Sequence, residues 1–338
     1  LALSKLPYKG TRDFFPADMR KRNYIFQKLT EVSEIFAYEP YDGPILEEVD
    51  LYRAKSGDEL INDQIYNFVD RGEREVAIRP EMTPTLARMV SQIHREVSKP
   101  LRWYAIPNLM RYEKQQRGRL REFWQYNADI FGAQPGLGEV EIIDLAVQIM
   151  KSFGANETHF EILFNDRRLV DIVFNEKLKC SSEQSHKLYK LVDRAKKIPE
   201  DKLLIEAKNI LNDSLKVEQF IQYLKSTNYA EALNSIEYNK EDFNYLSKIE
   251  NLGLSKYLKF DPTIVRGLDY YTGLVFEIYD LHPDNKRAIA GGGAYANLLQ
   301  IFNEPALAGI GFGLGEVTLT DFLESHKLIH DFNQTNTT

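Results

Sequence analysis

The 338 residues are 43% apolar and 12% aromatic, ample for a core and enough chain for one large domain or two ordinary ones. With 43 Lys and Arg against 50 Asp and Glu, the formal charge of −7 argues against an obligate, nonspecific nucleic-acid binder, which is usually basic. A single Cys180 excludes an intrachain disulfide and a cysteine-built zinc site, the six histidines are scattered so that no protein-built transition-metal site is expected, and no run of eighteen apolar residues is present to span a membrane.

The chain begins LALSKLPYKG, without the charged-then-apolar pattern of a secretory signal, so a cytoplasmic protein is expected. Pro16 fits the first position of a helix that Tyr24, Phe26, Leu29, Val32, Ile35 and Phe36 continue at helical spacing to Tyr38. YDGPILEEVDLY then reads as an extended run interrupted by Gly43 and Pro44. A proline cannot donate to a central ladder, so this strand belongs at an edge or an interface. QIYNFVD and REVAIRP alternate around Arg71-Gly72-Glu73, a hairpin signal. Thr83 is placed as the N-cap of a helix that Pro84 begins.

Two alternating stretches, LRWYAIPNLM and REFWQYNADIF, flank the basic run RYEKQQRGRLR from Arg111 to Arg121. They read as strands joined by a long hairpin loop. Arginine holds phosphate oxygens through two parallel hydrogen bonds, and one fixed to a strand can be aimed, so the loop is a candidate phosphate site. A charge-rich surface loop is the competing reading. A helix over Gly138–Phe153 follows, closed by Gly154, then the strand HFEILFN, with Asp166 capping the next helix.

Between Gly154 and Gly253 there is no glycine, and Pro199 is the only proline. Leu, Ile and Tyr recur there at three and four, so residues 175–258 read as an all-helical insertion. Residues 175–260 carry 15 Lys and Arg against 13 Asp and Glu, which allows a nucleic-acid contact without requiring one. Beyond it come LVFEIYDL, RAIAGGG, a short helix, AGIGFGLG and the helix EVTLTDFLESH. Strands, a helical interruption and more strands predict an α+β fold: one mainly antiparallel sheet flanked by helices. Residues 1–174 and 259–330 then form a discontinuous core, and 331–338 a polar tail.

Three further segments look chemical. In Arg79-Pro80-Glu81-Met82-Thr83, Glu81 is placed to accept from a ligand ammonium or, equally, to cap the helix. In VRGLDYYTG, Tyr270 and Tyr271 either pack under a turn or line a pocket for a small aromatic group. Gly291-Gly292-Gly293 and the alternating Gly309, Gly311, Gly313 and Gly315 let a backbone come close to a ligand, and neither run identifies one. The pattern is not GxGxxG after a first strand, so a Rossmann site is unsupported.

RYEKQQRGRLREFWQ resembles motif 2 of class II aminoacyl-tRNA synthetases, and VRGLDYYTG, RPEMT and AGGGAY together are similar to the signatures of the histidyl-tRNA synthetase family, over about Leu6 to His326. YDGPILEEVDLY resembles motif 1, which in that class builds a homodimer interface around its proline, here Pro44. The resemblance implies activation of L-histidine with ATP and Mg²⁺, then transfer to tRNA(His). It implies that Arg111 holds the ATP α-phosphate and the histidine carboxylate, with Glu113 at the adenine and Arg119 at the γ-phosphate. Glu81 and Thr83 would take the substrate amino group and Gln125 its carboxylate. Asp129 and Tyr271 would bond the imidazole nitrogens, Tyr270 would wall the pocket, and Arg266 would stabilise the pentacoordinate phosphorus.

The sequence departs from that pattern in two places. Motif 3 usually reads GLER, its arginine gripping the γ-phosphate; here Gly315-Glu316-Val317-Thr318 puts Thr318 in that place, which shifts weight onto Arg119 and Mg²⁺. The glycine run, which normally continues Arg-Tyr-Asp, continues Ala294-Tyr295-Ala296. The family also carries a C-terminal anticodon-binding domain, and the sequence to Thr338 holds none. That keeps a second reading in play, a non-catalytic histidine-binding paralogue serving as the regulatory subunit of ATP phosphoribosyltransferase. The arginines at 111, 119 and 266 and the helical insertion weigh against it, because a histidine sensor needs neither.

Overall fold

The computed structural model describes residues 3–54, 60–114, 116, 118–233, 243–265, 271–285 and 287–332. Helix α1 (Pro16–Ile35) starts on its proline and leads into strands β1 (Glu39–Pro40) and β2 (Leu46–Glu48). The extended run expected through residue 52 ends early. Val49 and Tyr52, three apart, both bury in a small cluster with Ala77, so Val49–Arg53 winds into a short helix, α2. Strands β3 (Tyr66–Val69) and β4 (Glu75–Ile78) make the expected hairpin.

In helix α3 (Thr83–Ile93) the cap differs from expectation: Met82 is the N-cap, Thr83 is the first helical residue, and no side chain caps the helix. The entry to α3 is anchored by the buried Arg79, which donates to Asn108 O at 2.9 Å, Asp42 Oδ1 at 2.6 Å and Gly43 O at 2.8 Å.

Strands β5 (Leu101–Ala105), β6 (Asn108–Met110) and β7 (Glu122–Phe131) surround the basic loop, with Met110 opposite Glu122. Helix α4 (Leu137–Ser152) ends before Gly154, whose φ of 87° suits only glycine well, and β8 (Phe160–Asp166) follows. Then come α5 (Arg167–Ile172), α6 (Ser182–Asp193), α7 (Glu200–Leu211), α8 (Ser214–Leu224), α9 (Tyr229–Ala232) and α10 (Tyr245–Asn251). The chain returns through β9 (Leu258–Phe260), β10 (Leu274–Asp280), β11 (Ala288–Tyr295), β12 (Gly309–Gly315) and α11 (Glu316–Ser325).

The strands form two sheets rather than one. The larger has nine strands in the order β1-β5-β7-β12-β11-β10-β8-β9, with β6 paired to β7; it is antiparallel except for the β1/β5 and β8/β9 pairs at its two ends. The smaller is β2-β4-β3. Strand alternation sorts the large sheet into two faces. Tyr126, Ala128, Ile130, Phe276, Phe312 and Leu314 join the core cluster with α1, α4 and α11. Each fully buried side chain of this size contributes about 2 kcal/mol. The opposite face carries Gln125, Asn127 and Asp129 on β7 and is roofed at one end by Leu86, Ala87 and Val90 of α3.

Asp166 ties the insertion to this sheet. Its carboxylate accepts from Arg168 N and Nε at 2.9 Å each, from Arg168 Nη2 at 2.6 Å and from the buried Tyr245 hydroxyl of α10 at 2.9 Å. Replacing it leaves a buried hydroxyl and a half-buried guanidinium unpaired. Asp166→Ala is expected to lower stability by about 3 kcal/mol in urea denaturation, with Tyr245→Phe costing about 1 kcal/mol.

Candidate active site

Register makes the floor of the site. Gly291 pairs with Gly313, and Gly293 with Gly311. With β7 beside them, Gly311 opposes Asp129 and Gly313 opposes Asn127. These glycines stand on the face opposite the core, so their missing side chains clear a shallow floor. The clearance is needed: a Cβ on Gly311 would sit 2.0 Å from Asp129 Oδ1, one on Gly313 2.8 Å from Gln125 Nε2, and one on Gly293 2.7 Å from the Tyr271 ring. Asp129 leans over Gly311 and Tyr271 over Gly293. Since those two glycines are cross-strand partners, an acid and a tyrosine overhang one position of the floor.

Asp129 is buried, and its Oδ1 accepts from the Tyr295 hydroxyl. Burial pushes its pKa up to about 7, opposed by the Tyr295 hydrogen bond. The nearby Tyr41 hydroxyl is buried without a hydrogen-bond partner among the described residues. Its pKa is pushed up by burial and by the Asp129 charge. Such a corner suits a polar ligand group.

The basic hairpin stands over the other end of the floor. Arg111 Nε donates to Pro80 O at 2.8 Å, and Met110 N to Arg79 O at 3.1 Å, which ties the loop holding Glu81 and Thr83 to the hairpin. The Arg111 guanidinium lies 5.4 Å from the centre of the Phe123 ring. Glu113 Oε2 stands 3.0 Å from Arg119 Nε. That oxygen is buried and accepts no well-directed hydrogen bond from a described residue, which leaves it able to accept one from a ligand amino group. A cavity of about 440 Å³ runs between hairpin and floor, lined among others by Arg111, Glu113, Arg119, Phe123 and Gln125, with Gly291 and Gly313 beneath.

The structure thus brings Arg111, Glu113, Arg119 and Gln125 into one cavity and places Asp129 and Tyr271 along the same face. Glu81 is buried beside Arg111's anchor, and Thr83 begins α3. Arg266 and Tyr270 lie outside the described residues. Thr318, on α11, lines the cavity and donates to Gly315 O at 3.1 Å or Ile289 O at 3.2 Å. Phe123, Glu277, Arg287 and Tyr295 also belong to the site and were not singled out by sequence. Tyr295 sat within AGGGAY and Phe123 within the alternation of β7; Glu277 and Arg287 carried no local signal.

The histidines are not all scattered, since His326 and His330 share an HxxxH spacing, yet the two side chains take different partners. His326 Nε2 meets Asp280 Oδ1 at 2.6 Å, whereas the His330 ring packs 5.3 Å from Tyr24 and 4.1 Å from Phe332. No group of three or more potential metal ligands occurs among the described residues.

A mainly antiparallel sheet with an arginine hairpin over a glycine-cleared floor defines the catalytic core of a class II aminoacyl-tRNA synthetase. The family model described as histidyl-tRNA synthetase matches residues 10–317. The histidine–tRNA ligase of Leptospira biflexa is 48% identical over 331 residues, which cover 96% of this chain and 75% of that protein. Among solved structures, the Bacillus halodurans protein titled an ATP phosphoribosyltransferase regulatory subunit/histidyl-tRNA synthetase superposes with a TM-score of 0.84 at 23% identity, covering 96% of this chain and 84% of the other. Histidyl-tRNA synthetase from Nostoc does so with 0.81 at 22%, covering 97% and 77%. These two likenesses establish the fold. The chain belongs to the histidyl-tRNA synthetase family and is an aminoacyl-tRNA ligase.

The raised pKa of Asp129 has a consequence for stability. An acid that keeps its proton to higher pH in the folded than in the unfolded chain makes stability fall as pH rises from the unfolded value, about 4, to the folded value, with no further change above it. Between pH 5 and pH 8, urea denaturation is expected to show wild type losing roughly 3 kcal/mol relative to Asp129→Asn, which has no proton to lose. Parallel pH profiles for the two proteins would contradict the shift.

Proposed function

We propose that this chain activates L-histidine as histidyl-adenylate in the cavity between the basic hairpin and the glycine floor, and passes the histidyl group to tRNA(His). The carrying observation is the alignment of two half-sites on one sheet face: arginines over one end, an acid and a tyrosine over one floor position at the other. A histidine carboxylate oxygen attacks the ATP α-phosphorus, and the bond to the β-phosphate bridging oxygen breaks, releasing pyrophosphate. The terminal ribose hydroxyl of the tRNA then attacks the acyl carbon, and AMP leaves.

Negative charge grows on the α-phosphate and on the departing pyrophosphate, so cations already in place lower the barrier. Arg111 serves the α-phosphate and the histidine carboxylate, Arg119 the distal phosphates, and Glu113 with Phe123 the adenine. Glu81 and Thr83 hold the amino group, Gln125 the carboxylate. Asp129 and Tyr271 engage the two imidazole nitrogens, with Tyr270 at the wall and Arg266 at the phosphorus. Such a pocket rejects isosteres that leave its polar groups unpaired. Mg²⁺ enters with ATP as part of the substrate, and Glu277, which accepts from the Tyr279 hydroxyl at 2.6 Å, is a second carboxylate beside Glu113 in the cavity lining.

Residues 1–174 and 259–330 act as the catalytic core, with 175–258 as the insertion that approaches the tRNA. The exposed Ile45, Leu46, Phe68 and Val69 around Pro44 support a homodimer through the smaller sheet. No described helix is long and apolar enough to cross a membrane, and we place the protein in the cytoplasm. The regulatory-subunit reading is not favoured, since relatives at 48% and 38% identity are named as ligases.

Histidine-dependent ATP–pyrophosphate exchange tests the proposal. Wild type is expected to exchange, chelation of divalent metal to abolish it, and Arg111→Ala to reduce kcat by about 100-fold or more. Histidine binding without exchange would return the sensor reading. Normal exchange by Arg266→Ala would remove the role given to that residue.

A further inference from the structure

Thr318 leaves the distal end of the cavity without a cation from α11. The other described arginines are engaged: Arg111 Nε with Pro80 O, Arg119 with Glu113. Arg287, one residue before β11, lines the same cavity. Its Cδ lies 3.1 Å from where a Cβ on Gly118 would be, and Thr318 Cγ2 lies 3.3 Å from the same point. The Arg287 stem and the Thr318 methyl therefore share one pocket under the hairpin turn. An arginine from position 318 and one from position 287 would compete for that space.

We propose that Arg287 holds the distal phosphates of ATP, occupying from the sheet the place that an arginine on the last helix would fill. This rests on the ATP site proposed above. Arg287 makes no ion pair or hydrogen bond with any described residue, although Asp280, Asp284 and Asp321 line an adjoining hollow of about 290 Å³ with it. Burial and the Arg119 charge lower its pKa, Glu113 opposing. A half-buried cation set beside a second cation, with its donors unused, is disfavoured until an anion arrives. A polyphosphate supplies that anion and relieves the repulsion between the two arginines. Thr318, with its hydroxyl turned to backbone carbonyls, supplies only room.

The test compares ATP with AMP, which lacks the distal phosphates. Arg287→Ala is expected to weaken ATP binding by titration calorimetry, and to raise the KM for ATP in exchange, by about 10- to 100-fold, while AMP affinity and the KM for histidine stay within about twofold. Arg287→Lys should fall between, keeping charge but losing the two-pronged contact. Adding Thr318→Arg to Arg287→Ala is expected to restore ATP affinity, which a merely structural role would not allow. Equal ATP affinity in wild type and Arg287→Ala would overturn the inference, as would parallel loss of ATP and AMP binding that Thr318→Arg does not repair. A wild-type chain that binds no ATP would instead overturn the site reading itself.

Discussion

The site depends on the pairing of glycine with glycine across β11 and β12. A strand normally presents a side chain every second residue on each face, and in the middle of a nine-stranded sheet such a face would be filled. Here Gly291, Gly293, Gly311 and Gly313 coincide on one face, and the other face of the same strands is filled by Phe312, Leu314 and Ala290 in the main core. The sheet is thus solidly packed on one side and bare on the other. Asp129, Gln125 and Tyr271 occupy the margins of the bare patch and lie over it, closer than any Cβ would permit. A one-residue slip of β12 against β11 would turn Phe312 into the substrate position and expose the glycines to the core, so register and function are a single constraint.

Charge is partitioned along the same face. The hairpin end collects Arg111, Arg119 and Arg287, with Glu113 held against Arg119. The far end holds one buried carboxyl whose proton is retained to about neutrality, hydrogen-bonded to Tyr295 and roofed by apolar residues of α3. A substrate with an anionic end and a weakly basic ring fits that gradient in one orientation only. The protein's net charge of −7 says nothing of this local arrangement.

Much of the architecture was legible. Helix α4, the β3–β4 hairpin, the cap at Asp166 and the helical stretch after it follow from periodicity and from Gly and Pro placement. Local chemistry decides such features. Two misses were tertiary. Val49–Arg53 reads as strand-like, yet burying Val49 and Tyr52 together requires a helical turn. Thr83 has the look of an N-cap, yet Arg79's grip on Asn108 of β6 and on the adjacent Asp42 and Gly43 fixes the helix entry by other means. Period-two glycines announced close approach, but not that two such runs meet in register. Arg287 was invisible for the same reason: nothing in NKRAIA marks it, and only the return of β11 beneath the hairpin puts it beside Thr318.

The chain leaves the large sheet at the end of β8 and, after helices α5–α10, comes back as β9, which lies parallel and directly beside β8. Exit and re-entry are neighbours on the sheet's outer border, yet the helical excursion is no pendant: α10 packs on α4, the Tyr223 and Tyr245 hydroxyls bond to side chains of β8, and Lys197 lines the cavity. Changes in its packing are therefore passed to β8 and to α4, which itself packs on β7 and β12. The helical segment and the strands that floor the cavity are thus parts of one packed body, and a push on either is felt by the other.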